Sequence, residues 1–253
     1  MILSSLNSIE LDTVQWITVI SAAILIGLSR TAISGLGMLA IPLIASLFAG
    51  RQASGMVLMM LITADLFAIF YFRQHANFKL IKSLLPWVAI GLLTGLTVGR
   101  IINDNQFKIL IAICIFICLI ILIISEKTGG NINIPEKKWI YALTGIATGF
   151  ASMIGNVAGP IFWIYLIAKK FNKNKFMGTV AWFFFILNIV KLPLQILIWK
   201  NITTDTIFPV MIVSPLIILA AFSGTFIIKR IKEKPFRYLI ILMTALAAIN
   251  LVL

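Results

Sequence analysis

The sequence predicts an all-α polytopic membrane protein built from two inverted-topology repeats of about five helical segments each. Three observations indicate this fold class: long apolar runs, two glycine-broken apolar segments at matching places in the two halves, and basic residues concentrated in alternate loops. Unpaired backbone groups are costly in lipid, so only helices and closed barrels span a membrane. Apolar runs of this length are typical of helices.

The composition excludes an ordinary soluble domain. Of 253 residues, 61% are hydrophobic and 11% are charged, and the mean hydropathy is +1.08. A soluble domain carries about 25% charged residues. The net charge of +13 is spread over short loops, which indicates topology control and contact with anionic lipid. We therefore expect membrane lipid as a partner and no nucleic acid.

Ten apolar segments follow one another along the chain. The first two, and the sixth and seventh, form short interrupted pairs. The seventh has about a dozen apolar residues, fewer than the ~20 that a crossing helix needs. Whether a short pair crosses fully or re-enters is left open. The predicted segments are residues 13–29, 34–49, 53–72, 80–101, 107–125, 138–154, 157–168, 175–199, 205–228 and 235–253.

The two halves match each other in sequence. An offset of 118 places Gly27 on Gly145, and an offset of 123 places Asp65 on Asn188. Five is an odd number of segments, so the second unit would enter the membrane from the opposite side, as in inverted-repeat transporters. The predicted units are a first repeat over residues 1–125, a cytoplasmic linker over residues 126–137 and a second repeat over residues 138–253.

The loop charges predict the orientation in the membrane. If the N-terminus lies outside, inside loops carry 15 basic residues and outside loops carry four, which is a strong positive-inside bias. We therefore expect both termini to be extracellular. The inside residues are Arg73, Lys79, Lys82, Lys127, Lys137, Lys138, Lys169, Lys170, Lys173, Lys175, Lys229, Arg230, Lys232, Lys234 and Arg237, and the outside residues are Arg51, Arg100, Lys108 and Lys200.

The two breaks are candidates for a substrate site. Interrupted segments at corresponding positions of two halves are typical of secondary transporters. Helix starts carry unpaired N–H groups and partial positive charge, so two that converge would bind an anion. Ser34 and Asn156 are expected to cap the second and seventh helices. Helix packing by small residues is the alternative. The candidate residues at the breaks are Ser34, Gly35, Gly37, Ser152, Gly155, Asn156 and Val157.

Four polar side chains lie inside or beside apolar segments, where such groups are costly and indicate function or ion pairing. Arg30 either supplements the anion site or reaches the membrane surface. Asp65 is expected to pair with Arg30 or Lys191, and Asn188 and Lys191 share a helix face. We assign Asp65, Asn188 and Lys191 to coupling or to bracing the cavity. Asp65 either exchanges protons or forms a structural ion pair.

Catalytic and metal-binding signatures are missing from the sequence. It contains one histidine and no His-Glu-x-x-His, Gly-x-Ser-x-Gly or Walker-type motif. Cys114 and Cys118 lie in one apolar run with no further metal ligand nearby, and we interpret them as buried packing residues. We therefore expect no enzyme activity, no catalytic residue, no cofactor and no metal.

The residues at the breaks resemble those of a known family. Residues 35–43, and the motif Gly-Phe-x-Ser-x-Ile-Gly-Asn-x-x-Gly-Pro over residues 149–160, resemble the TauE/SafE sulfite exporter family. The first stretch departs from the family pattern, with Leu36 and Met38 where glycines are usual. The resemblance implies ATP-independent export, or in some members uptake, of small sulfur-containing anions such as sulfite, sulfoacetate and other organosulfonates, in a bacterial cytoplasmic membrane.

Together these observations predict a secondary transporter of small anions that works by alternating access, with proton coupling as one option and a homodimer left open. The alternatives are an anion channel on the same scaffold, an uptake carrier for another small organic anion, an intramembrane enzyme, and a membrane scaffold without a substrate.

Overall fold

The part of the chain that the structure describes folds into ten α-helices and contains no strand. The computed structural model describes residues 11–31, 35–128, 137–169, 171, 173–227 and 233–252. Most of the predicted linker, residues 126–137, lies outside them. The helices are α1 Thr13–Thr31, α2 Leu36–Leu47, α3 Gly50–Phe72, α4 Phe78–Ile101, α5 Asp104–Lys127, α6 Lys138–Gly155, α7 Gly159–Ala168, α8 Lys173–Leu194, α9 Thr204–Ile227 and α10 Glu233–Asn250. A 3₁₀ turn at Arg73–His75 follows α3, and a π-helical turn at Gln195–Trp199 follows α8.

Six of the described helical segments are long and apolar enough to cross a membrane, which confirms a polytopic membrane protein. They are Thr13–Arg30, Gly50–His75, Phe78–Ile101, Asp104–Ser125, Asn174–Trp199 and Thr204–Phe226. The helices α2 and α7 have only 12 and 10 residues. At 1.5 Å per residue, α7 is about 15 Å long, roughly half of a ~30 Å hydrocarbon core.

The helices α6 and α7 form a hairpin that returns to the end of the bundle where it began. Lys79 near the start of α4, Lys138 at the start of α6 and Lys169 after α7 line one surface cavity. We call this end of the bundle the lysine end. The opposite end of the bundle contains the end of α4 and the start of α5, where an Asp104 carboxylate oxygen accepts a hydrogen bond of 2.7 Å from the backbone N–H of Gly50. The start of α6 and the end of α7 therefore lie at the same end of the bundle.

Glycines allow the first helix of each half to touch the fourth helix of the other half. A β-carbon on Gly27 of α1 would lie within 3.0 Å of the backbone of Ile217 in α9. A β-carbon on Gly145 of α6 would lie within 3.0 Å of the β-carbon of Trp87 in α4. Gly27 and Gly145, which the sequence offset places on each other, thus each allow close contact with a helix of the other half.

Large apolar side chains cover the outer surface, as expected of helices in lipid. Phe70 of α3, Ile101 of α4 and Leu143 of α6 are each more than half exposed. Cys114 and Cys118 are buried in the apolar interior, as predicted for packing residues.

We expect Gly91→Ala to destabilise the protein, because a β-carbon there would overlap the backbone of Ile146 where α4 and α6 touch. Overpacking costs about 1–3 kcal/mol, against a gain of up to about 1 kcal/mol from alanine in a helix. The midpoint of thermal unfolding in detergent should fall by several degrees. Gly155→Ala is the control, since a β-carbon there meets only ordinary van der Waals contacts. Equal midpoints for both variants would contradict the close packing of α4 on α6.

Candidate functional site

Both breaks predicted from the sequence lie at helix junctions. The helix α2 begins at Leu36, directly after Gly35, whose φ of 102° is in the left-handed region that favours glycine. The helix α7 begins at Gly159, and residues 156–158 separate it from α6. Ser34, predicted as a cap and a ligand, lies outside the described residues.

Asn156 ends α6, so its predicted role as the N-terminal cap of α7 is wrong. Its φ of 54° is left-handed, and its backbone N–H donates to the carbonyl oxygen of Ser152 at 3.1 Å. Asparagine tolerates this conformation at the end of a helix better than most residues do. The helix α7 starts after Ala158, which makes no side-chain capping bond, and Pro160 lies in its first turn, where a missing N–H costs little.

A small cavity lies between the two breaks. Its volume is about 40 Å³, enough for about three waters, which suits a small ion. The predicted residues that line it are Arg30, Gly35, Gly37, Ser152, Asn156 and Asn188. Ser29, Met38, Leu61, Gly159, Trp163 and Phe184 complete its described lining. The predicted residues Gly155, Val157, Asp65 and Lys191 lie outside this lining, although Asp65 and Lys191 bond to residues within it.

Arg30 supplies the positive charge at the cavity wall. Its Nε lies 2.9 Å from Oδ1 of Asp65, an ion pair without hydrogen-bond alignment. Its guanidinium carbon lies 5.3 Å from the ring centre of Phe184, within the range of a cation–π contact. Of the two ion pairs considered from the sequence, the structure contains Asp65–Arg30. Arg30 points into the bundle and does not reach the membrane surface.

Asn188 connects Asp65 to Lys191. Its Nδ2 donates to Oδ2 of Asp65 at 2.7 Å, and its Oδ1 accepts from Nζ of Lys191 at 3.4 Å. The carboxylate of Asp65 therefore contacts a cation through one oxygen and an amide through the other. This arrangement satisfies a buried charge that would otherwise be costly in lipid.

Lys191 is fully buried and binds the second break. Its Nζ donates to the carbonyl oxygen of Ser152 at 2.8 Å, to the Ser152 hydroxyl at 3.1 Å and to Oδ1 of Asn156. Its hydrogen-bond partners among the described residues are all neutral. The oxygen atoms of the break therefore take the place of water around the ammonium group, and α8 is tied to the tip of the α6–α7 hairpin.

Further polar contacts lead from the break towards the end of the bundle opposite the lysine end. Nδ2 of Asn156 donates to the carbonyl oxygen and the hydroxyl of Ser54, at 3.1 and 3.3 Å. Gln195 donates to the Ser54 hydroxyl at 3.4 Å, and Asn201 donates to Oε1 of Gln195 at 3.3 Å. These contacts extend the polar network beyond the cavity.

This network is long compared with the thickness of a membrane. Asn201 also donates to the carbonyl oxygen of Arg51 at 2.6 Å. From Arg51 to Asp65, α3 rises about 21 Å, roughly two thirds of a ~30 Å hydrocarbon core. Sequence reasoning missed Ser54, Gln195 and Asn201. The signal for Gln195 was present, because it is a polar residue inside a predicted apolar segment.

The charge balance around the cavity suits an anion. Among the described residues that form this network, Arg30 and Lys191 are cationic and Asp65 alone is anionic. One positive charge therefore lacks a carboxylate partner, in an environment where an anion would be strongly attracted. In the described part of the chain, no group of three or more histidine, cysteine, aspartate or glutamate residues could hold a metal ion.

We expect Asn156→Ala to be less stable than Asn156→Gly. Both variants lose the amide contacts to Lys191 and Ser54, but only alanine carries a β-carbon at the left-handed φ of 54°. That conformation costs a residue with a β-carbon about 1 kcal/mol. Thermal unfolding of the two purified variants measures the difference, and a more stable Asn156→Ala would contradict the left-handed end of α6.

Comparison with known proteins identifies a family for the chain. Residues 19–251 match the family model described as Sulfite exporter TauE/SafE, and the match includes both breaks and every described residue of the cavity. Neither the curated proteins nor the solved structures contain a match to the chain. The chain belongs to the TauE/SafE sulfite exporter family.

Proposed function

We propose that this protein is a secondary transporter that exports small sulfur-containing anions, such as sulfite or an organosulfonate, across the cytoplasmic membrane. Its family is one of membrane transporters. The main support is the position of Arg30, which faces a small cavity between two helix breaks. A guanidinium presents several N–H donors in one plane, which matches the oxygen atoms of a sulfite or sulfonate group.

The two breaks supply the remaining recognition groups. Gly35 and Gly37 at the start of α2, and Gly159 at the start of α7, line the cavity. The first N–H groups of a helix lack partners within the helix and carry partial positive charge. Because glycine lets a ligand approach the backbone closely, the anion would bind these N–H groups beside Arg30.

We propose that the two halves are inverted repeats and that one half rocks against the other around the anion. The equivalent contacts of Gly27 and Gly145 support this arrangement. Asp65 and Asn188, which are matched in the sequence repeat, also touch each other at 2.7 Å. Two residues related by a twofold axis meet only near that axis. The site would then lie close to the centre of the molecule, as alternating access requires.

We propose that the lysine end faces the cytoplasm and that both termini are extracellular. The grouping of Lys79, Lys138 and Lys169 around one cavity supports this orientation, because three of the predicted inside loops then share one end of the bundle. The anion would enter from that side and leave on the other.

We further propose that protons couple to transport through Asp65. The same Asp65 carboxylate that pairs with Arg30 is buried next to the cavity. A proton on Asp65 would remove the competing negative charge and leave the guanidinium to the anion. Loss of that proton would restore the ion pair and favour release of the anion. The proton and the anion would then leave together on the same side, so export would follow the outward gradient of the anion itself and not an inward proton gradient.

Transport by purified protein in liposomes tests the proposal directly. Sulfite or sulfoacetate should move against its concentration gradient when a proton gradient is imposed, and acetate and phosphate should move much more slowly. Downhill movement alone, insensitive to the proton gradient, would support an anion channel and contradict the carrier.

We expect Gly37→Val to abolish transport, because its side chain would enter the cavity and a β-carbon there already lies 3.1 Å from the Ser29 hydroxyl. Flux in proteoliposomes should fall at least tenfold, and added sulfite should no longer raise the unfolding temperature. Gly155→Ala is the matched control, since Gly155 lies outside the cavity lining and tolerates a β-carbon. Normal transport by folded Gly37→Val would exclude this cavity as the site.

We expect Asp65→Asn to transport without dependence on the proton gradient. An amide can still hydrogen bond to Asn188, but it neither titrates nor pairs with Arg30. Flux should be compared with and without an imposed pH gradient. Asp205→Asn, at an exposed position in the first turn of α9, is the control and should keep the dependence. A folded Asp65→Asn that still responds to the gradient would leave Asp65 with a structural role only.

A further inference from the structure

A second cavity opens on the surface at the lysine end and is separate from the anion site. Its volume is about 570 Å³, far larger than the 40 Å³ of the central cavity. Residues at the starts of α4 and α6 and just after α7 form its walls. The cavity therefore lies at the junction of the two halves and at the level of the helix ends, where lipid headgroups meet a membrane protein.

One wall of this cavity is strongly cationic. Lys79, Lys138 and Lys169 line it, and its described lining contains no carboxylate. Nζ of Lys169 donates to the Tyr141 hydroxyl at 3.1 Å and lies 5.1 Å from the Tyr141 ring centre. Tyr141 therefore orients this ammonium group within the wall. The N-termini of α4 and α6 add partial positive charge at the same place.

The rest of the lining is apolar and aromatic. Leu80, Trp87 and Phe171 belong to it, and Trp87 is 37% exposed on the outer side of α4. A soluble anion would use only the lysines. A ligand with an anionic head and a hydrocarbon tail would contact both the lysines and the apolar residues. Tryptophan at the membrane interface suits such a ligand.

We propose that this cavity binds the phosphodiester headgroup of an anionic phospholipid, with the lysines around the phosphate and the acyl chains along Trp87. Basic pockets between membrane helices are a recognised way of binding such headgroups. Trp87 packs against Gly145, so the bound lipid would lie where α4 of the first half meets α6 of the second. The lipid would thereby join the two halves at the lysine end.

Delipidated protein in detergent allows a direct test by thermal unfolding and by native mass spectrometry. Dioleoylphosphatidylglycerol should raise the unfolding temperature and remain bound in the mass spectrum. Dioleoylphosphatidylcholine, which has the same chains and no net charge, should do neither. Stabilisation of equal size by inorganic phosphate would overturn the proposal in favour of a site for soluble anions.

Two double variants distinguish a specific lipid site from nonspecific attraction of the lipid to a basic surface. Lys79→Gln with Lys138→Gln removes two charges from the lining, and phosphatidylglycerol should bind about 30-fold more weakly, at about 1 kcal/mol per lysine. Lys82→Gln with Lys137→Gln removes two exposed charges outside the lining and should leave binding nearly unchanged. Equal losses in the two double variants would overturn the proposal.

A single variant tests the same wall if the double variant Lys79→Gln with Lys138→Gln does not fold. Tyr141→Phe keeps the ring and removes only the hydroxyl that accepts from Lys169. Phosphatidylglycerol should bind several-fold more weakly to this variant, because Lys169 loses the hydroxyl contact that helps to orient it towards the headgroup. Unchanged binding would contradict the assigned role of this wall.

Discussion

The hydrogen bonds of the buried Lys191 ammonium to the second break hold the candidate site in place. A cation inside a membrane protein needs oxygen atoms around it, and Ser152 and Asn156 supply them because the chain leaves its helix there. The same contacts tie α8 to the tip of the α6–α7 hairpin. Through Asn188 they also connect to Asp65, which in turn holds Arg30 at the cavity wall. The broken helix and the buried charge thus stabilise each other.

The hairpin explains why an unwound segment can exist at this depth. The helix α7 has 10 residues and returns to the lysine end, so its start lies inside the protein and not at the surface. Backbone groups freed at such a break must find partners or line a cavity. Here Cys118 donates to the carbonyl oxygen of Val157 at 3.1 Å, and Asn156 bonds to Ser54. The groups that face the cavity remain available to a ligand.

Charge is distributed differently at the two cavities. Inside the bundle, Arg30 and Lys191 are each held by specific partners. The central cavity beside them has a volume of only about 40 Å³, which suits a small ion. At the lysine end, three lysines surround a wide opening with aromatic walls, which suits a larger amphipathic ligand. Both cavities lie between the two halves, so movement of one half against the other would change them together.

Sequence patterns alone are sufficient to predict the helices, the positions of both breaks and the buried charges, because hydrophobic length, glycine and intramembrane charge are local signals. They left open whether Arg30 or Lys191 pairs with Asp65, and they misassigned Asn156 as a cap of α7. Those points depend on how the helices pack, and the same packing brings Ser54 and Gln195 to the break. The contacts of Ser54 join residues more than 100 positions apart, such as Ser54 and Asn156, and the Asp65–Arg30 pair joins two different helices. Their meeting depends on how the helices pack and where the hairpin turns back, which no local pattern specifies.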